Sequence, residues 1–300
     1  MAEQKVHVFP IDLGYMGQDE AAGAFLVRKG QTKCLVEAGP SACLPNLLAG
    51  LEKAQISLEE LEGLILTHIH LDHAGASGHL THESCHAHVH PRGARHLIDP
   101  ERLNASAYRV FGARLDSDLG VMESTRADRV HEVHDGASIN IGDLTFTALE
   151  TPGHARHHHA WFLEDASESH LFCGDAAGMR IPGTDFPTIP MVPPEFNPND
   201  WLKSIERIES TKADNLWLTH YGRTTIESGF LTTVRNELIA ELEFLTNMIS
   251  NAHTHLPQRH RSWHQERAAA YGVDPGLLST YCQASFYRAN YDGVLRWLTK

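Results

Sequence analysis

No stretch of the sequence approaches the roughly eighteen consecutive apolar residues that a membrane-spanning helix needs. Cysteine is scarce and scattered. Cys34, Cys43, Cys85, Cys173 and Cys282 are odd in number and never form a Cys-x-x-Cys pair. That usage argues against a disulfide framework or a zinc ribbon and fits buried thiols in a reducing compartment. Positive charge is short as well: 25 Lys and Arg stand against 38 Asp and Glu, a formal charge of −13 at pH 7. Phosphate backbones are bound by basic surfaces, so a nucleic-acid partner is not expected. Met1 to Pro10 lacks the basic segment and apolar core of a secretory signal, and a cytoplasmic protein is the expectation. Internal repeats and low-complexity segments are missing too.

What the chain does have is 22 histidines and a 42% hydrophobic content over 300 residues, enough for a sizeable core. Short β runs are expected at Val6–Leu13, Ala24–Arg28, Cys34–Ala38, Gly63–Thr67 and Ala87–His90, punctuated by glycines. Others are expected near Arg129–Val133, Leu144–Leu149, His159–Leu163, Leu171–Cys173 and Asn215–Leu218. Leu44, Leu47, Leu48 and Leu51 form one stripe and predict a helix over Leu44–Lys53, with Pro45 near its start. Helical patterns return at Pro100–Leu115 and Asp200–Glu209. From Leu231 to Ile249 apolar residues recur every three or four positions. Strands alternating with helices in both halves predict an α/β sandwich covered by helices. Residues 1–225 are expected to form the catalytic domain and 226–300 a helical C-terminal extension packed on it.

The chemistry concentrates in Thr67-His68-Ile69-His70-Leu71-Asp72-His73, directly after an apolar run. At a strand end residues i and i+2 point the same way, so His68 and His70 can grip one ion together. After a turn, Asp72 and His73 can face a second. The small residues Ala74-Gly75-Ala76 permit close backbone packing beneath. Three more runs end in a potential ligand: Thr151-Pro152-Gly153-His154, Phe172-Cys173-Gly174-Asp175 and Leu216-Trp217-Leu218-Thr219-His220.

In this order, H-x-H-x-D-H, T-P-G-H, G-D and T-H-Y-G over about residues 5 to 222 resemble the metallo-β-lactamase superfamily. The resemblance implies a four-layer αββα sandwich with a dinuclear site at one edge. It also implies that His68, His70 and His154 hold one metal, that Asp72, His73 and His220 hold the other, and that Asp175 bridges both. The pattern is closest to the glyoxalase II and lactonase branches; classical β-lactamases carry a cysteine where Asp175 stands. The basic cluster that glyoxalase II uses for glutathione is missing from the C-terminal region, which argues against that substrate. Two divalent ions lower the pKa of a shared water from 15.7 towards about 7 and polarise the substrate oxygen. Asp72 is the candidate catalytic residue that orients this water or takes its proton. The mixed nitrogen and oxygen shell favours zinc, with iron or manganese also acceptable.

The expected function is hydrolysis of a small ester, thioester or lactone by a water shared between two metals. Phosphodiester hydrolysis, a mononuclear iron persulfide dioxygenase and a non-catalytic metal or ligand binder are the alternatives. The expected partner is a small-molecule substrate, with neither nucleic acid nor membrane, and a homodimer stays open.

Glu37 can orient a ligand histidine or serve as a plain turn residue. His157, His158 and His159 read as polar strand residues, one of which could touch the site. His82, His86, His88 and His90 read as an exposed strand face, Tyr221 as packing, and His253, His255, His260 and His264 as a solvated surface. Ile181–Pro198 carries six prolines with Phe186, Ile189, Met191 and Phe196. It is expected to wall an apolar pocket over the metals together with the Pro100–Leu115 helix and part of the C-terminal helices, or else to pack the tail onto the core.

Overall fold

A computed structural model describes residues 5–251 and 256–300. The expectations for Met1 to Gln4, His253 and His255 fall outside the described residues.

The first sheet contains β1 (His7–Asp12), β2 (Gly23–Lys29), β3 (Thr32–Val36), β4 (Gly63–Ile65), β5 (His86–Val89) and β6 (Val130–Glu132), side by side in chain order. The second half of the chain supplies β7 (Ser138–Ile141), β8 (Leu144–Glu150), β9 (His159–Glu164) and β10 (Ser169–Phe172). After a small hairpin of β11 (Met179–Arg180) and β12 (Pro187–Thr188) come β13 (Asn215–Leu218) and β14 (Gly222–Thr224). The second sheet runs β14-β13-β10-β9-β8-β7.

Period-two alternation explains why these runs become strands buried on both faces. In β2, Phe25 and Val27 point between the sheets, where they meet Phe146, Trp161, Leu163, Phe172 and Trp217 of the second sheet. Ala24 and Leu26 of the same strand point outward, onto a helical layer that includes Leu47 and Leu51 of Leu44–Lys53 and Leu97 of Pro91–Ile98. Leu171, Leu216 and Leu218 likewise leave the second sheet outward. They meet Trp201, Ile205 and Ile208 of Pro198–Ser210 and Leu231, Val234 and Leu238 of Phe230–Ser250. Helix, sheet, sheet and helix thus make the four-layer αββα arrangement, and the C-terminal segment is helical: Phe230–Ser250, Leu256–Ala269, Pro275–Tyr281 and Ala284–Leu298.

Three expectations need correction, the first being His90, which was expected on an exposed strand face and is buried. His260 and His264 are buried rather than solvated. With Ala268 they form an i, i+4, i+8 stripe on Leu256–Ala269, the face this polar helix turns inward. The proline-rich segment does not wall a pocket with its apolar side chains. Phe186 packs among Ala268, Val273, Leu278 and Tyr287 of the tail, while Met191 and Phe196 join Trp201, Leu245 and Val294. All three are fully buried in the joint between tail and core. The helix near residue 100 spans Glu101–Phe111 and has no buried residue.

Candidate metal centre

Parallel pairing brings the ligand-bearing strand ends together. β4 runs parallel to β3 and β5, and β13 runs parallel to β10, so the segments that follow them emerge at common edges. From β4 the chain continues through Thr67, His68 and Ile69 to His70, which directly precedes the helical turn Leu71–Ala74 carrying Asp72 and His73. His154 lies on the β8–β9 connection, Asp175 follows β10, and His220 follows β13.

All seven sequence-selected residues come together. His70 Nδ1 lies 3.0 Å from His68 Nε2 and 2.9 Å from His154 Nε2. His220 Nε2 lies 3.3 Å from His73 Nε2 and 3.6 Å from Asp72 Oδ2. Asp175 stands between the groups, with Oδ1 3.2 Å from His73 Nε2 and Oδ2 3.3 Å from His154 Nε2. Donors around a single tetrahedral ion with bonds of about 2.1 Å are separated by roughly 3.4 Å. The two trios, His68-His70-His154 and Asp72-His73-His220, fit that spacing.

The hydrogen bonds of the far ring nitrogens decide which atoms face inward. His154 Nδ1 donates to the Pro190 carbonyl at 2.9 Å and His220 Nδ1 to the Ala21 carbonyl at 2.6 Å. His73 Nδ1 donates to Glu37 Oε1 at 2.9 Å. Thr67 Oγ1 gives its proton to Glu37 Oε1 at 2.6 Å, so it accepts from His68 Nδ1 at 3.1 Å. In the neutral ring each of these histidines therefore turns a lone pair, not a proton, into the cluster. Asp175 Oδ1 is buried without a hydrogen-bond partner. Lone pairs and carboxylates crowded at van der Waals distance fit cations, and the donor set fits divalent metal ions.

The electrostatics carry the same signature. Burial, and then neighbouring imidazoles, hold His68 well below the usual histidine range and push His70 down to about 3. Burial alone would raise the Asp175 carboxyl, yet His73 and His154 hold it well below the carboxylate range. Burial alone would lower His73, yet the carboxylates of Asp175, Glu37 and Asp72 hold it well above the ordinary value.

Residues outside the cluster fix its geometry. Glu37 is fully buried, with φ 69°, in the left-handed region just after β3, and it is an orienting residue rather than a plain turn residue. His158, read from sequence as a polar strand residue, is fully buried. Its Nδ1 donates to Thr151 Oγ1 at 2.8 Å and its Nε2 accepts from the Asp175 amide at 3.1 Å. Its position four residues after His154 was the only signal available. Pro190, from the proline-rich segment, contributes a backbone carbonyl instead of an apolar wall. His157 stacks on His68 with ring centroids 5.9 Å apart and holds no place in either trio. Tyr15, which the sequence did not flag, lies 6.0 Å from the His220 ring.

The family model described as the metallo-beta-lactamase superfamily matches residues 20–220. The chain belongs to this superfamily. Among curated relatives, the metallo-beta-lactamase fold-containing protein ST1585 of Sulfurisphaera tokodaii is 29% identical over 169 residues, 55% of this chain and 62% of that protein. A hydroxyacylglutathione hydrolase of Hahella chejuensis is 27% identical over 115 residues, 38% of this chain and 33% of the relative. These matches span less than two thirds of the relatives' own lengths. Among solved structures, the metallo-beta-lactamase family protein TTHA1429 of Thermus thermophilus superposes with a TM-score of 0.68 at 18% identity, covering 98% of this chain and 93% of the other. That likeness extends the shared fold through the helical tail. Among the described residues, no helix is long and apolar enough to cross a membrane.

Proposed function

We propose that this superfamily member is a dinuclear metal-dependent hydrolase acting on a small ester, thioester or lactone. The carrying observation is the position of Asp175, whose two oxygens reach one trio each, at 3.2 Å from His73 and 3.3 Å from His154. The two trios would hold divalent ions, zinc by the chemistry of the donors, which would supply a nucleophilic water at neutral pH and polarise the substrate carbonyl.

The chain's own residues set up the rest. Asp72 is the carboxylate of the cluster with the most exposed side chain, about a quarter accessible against 5% for Asp175. Burial opposes its charge, but the neighbouring His73 and His220 rings favour it and hold the carboxyl well below the usual carboxylate range. Ionised and partly accessible, it would orient an incoming water by accepting its hydrogen bond and offer it a place to leave its proton, while Asp175 would serve both trios. Glu37 and the Pro190 and Ala21 carbonyls keep the imidazole lone pairs aimed inward, so little reorganisation is needed at the moment of reaction. Similarity to hydroxyacylglutathione hydrolases favours an acyl substrate, although the missing C-terminal basic cluster argues against glutathione as its carrier. Five buried free thiols favour a reducing, cytoplasmic setting, and the acidic charge favours a small molecule over nucleic acid.

The test is elemental analysis of chelator-free protein together with turnover of an ester, thioester, lactone and bis-phosphodiester panel. Close to two transition-metal ions per chain outside any further site, and fastest turnover of a carbonyl substrate, are expected. One ion in the cluster, or fastest turnover of the phosphodiester, overturns the reading.

A further inference from the structure

A second group of ligand-type side chains stands apart from the seven. His90 directly follows β5 in the first sheet. Glu150 ends β8 and His159 begins β9, directly opposite each other in the second sheet. One potential ligand atom from each of the three lies within 4.8 Å of the others. The rings of His90 and His159 are 4.6 Å apart, and His90 Nε2 lies 3.1 Å from Glu150 Oε1.

The His90–Glu150 hydrogen bond accounts for two members of the group and leaves the third unexplained. His159 is fully buried, and neither of its ring nitrogens has a hydrogen-bond partner. Buried polar atoms are almost always paired, so an imidazole with an unmatched lone pair, turned towards a histidine and a carboxylate, points to a ligand. We propose that His90, Glu150 and His159 form a further divalent transition-metal site that ties the two sheets together.

Two imidazoles and one carboxylate form the donor set of an open tetrahedral zinc site, with water completing the shell. Glu150 gives the ion a route in, since its side chain is 45% exposed while the histidines are buried. Burial holds both imidazoles below the ordinary histidine value, His159 at about 3, which keeps them in the neutral form that binds metal. At present His90 Nδ1 accepts from the Arg92 amide at 3.0 Å, so its proton sits on Nε2 and is donated to Glu150. Uptake of an ion at Nε2 moves that proton to Nδ1 and breaks the bond from the Arg92 amide, so the two donors must move apart. No proton is lost from the ring in the exchange.

The experiment uses the full chain, stripped of metal and dialysed against Zn2+ alone, with zinc per chain read by elemental analysis. Wild type is compared with Glu150→Gln, an exposed and nearly isosteric change that leaves folding intact, and with His159→Gln. The same changes are made in an Asp175→Ala background, where the main cluster is crippled. Each substitution is expected to remove one zinc ion in either background, so the result does not depend on how many ions the main cluster holds. An unchanged zinc count in Glu150→Gln overturns the site, whatever His159→Gln shows. Loss of more than one ion in Glu150→Gln also overturns it, because the residue would then act through the main cluster.

Discussion

His73 Nδ1 donates to Glu37 Oε1 at 2.9 Å, and both side chains are fully buried. The same carboxylate oxygen accepts from Thr67 Oγ1 and, at 3.0 Å, from Thr219 Oγ1. One acid thereby ties β3, the histidine-rich segment after β4 and the segment after β13 beneath the cluster. It fixes the ring orientation of His73 directly and that of His68 through Thr67.

Replacing Glu37 by glutamine keeps the shape and removes the charge that makes His73 a stronger donor. Partners of this kind are worth about 10–100-fold in metal affinity. Glu37→Gln is therefore expected to weaken binding by that factor in a chelator competition assay. An affinity equal to wild type would show that the acid is only structural.

Asp175 and His157 both touch the cluster, with different consequences. Asp175→Ala removes the oxygens that reach both trios, so metal content and hydrolysis should both collapse. His157→Ala removes a ring that stacks on His68 and should leave metal content near normal. Equal metal loss in the two variants would mean that the ligand set is drawn wrongly.

Gly174 sits at φ 49°, and a Cβ there would stand 2.6 Å from both His158 Nε2 and Thr67 Oγ1. Neither atom can yield freely, since His158 accepts from the Asp175 amide and Thr67 bonds Glu37. Gly174→Ala combines left-handed backbone strain with this overlap. It is expected to lower stability by about 1–3 kcal/mol and to displace Asp175. Urea unfolding and metal content measured together test it; a stable variant with full metal content contradicts the argument.

The candidate cluster was legible because four of its members, His68, His154, Asp175 and His220, each follow a short strand, so local pattern and chemistry coincide there. The strands were legible because both faces are buried, as the alternation of Ala24, Phe25, Leu26 and Val27 shows. What the sequence hid depends on tertiary partners. His158 looks like its neighbours His157 and His159, and only packing turns one towards Asp175 and another towards His90. In the tail, His260 and His264 looked like surface because Leu256–Ala269 is so polar. Their inward stripe makes sense only once Glu241 of the preceding helix is placed opposite.

That pairing yields a pH prediction. Glu241 is buried, and its Oε1 accepts from His260 Nε2 at 2.8 Å and from Asn290 Nδ2 at 2.7 Å. Burial alone would raise its carboxyl, but the hydrogen bond and charge of His260, with help from His264 and Asn290, hold it below the ordinary glutamate value. A carboxyl lowered on folding contributes stability that is complete above its unfolded pKa of about 4.3 and is lost as pH falls through the lower folded value. Glu241→Gln keeps the volume and gives up the charge. Hydrogen bonds to charged groups contribute about 1.5–3 kcal/mol, so the variant should be less stable than wild type by that amount at pH 7. As the solution is acidified below about pH 4, wild-type Glu241 protonates too, and the gap should close. Urea unfolding of both proteins from pH 7 to pH 3 reads it directly. A gap that stays constant across this range would mean that Glu241 holds the tail helices by shape and not by charge.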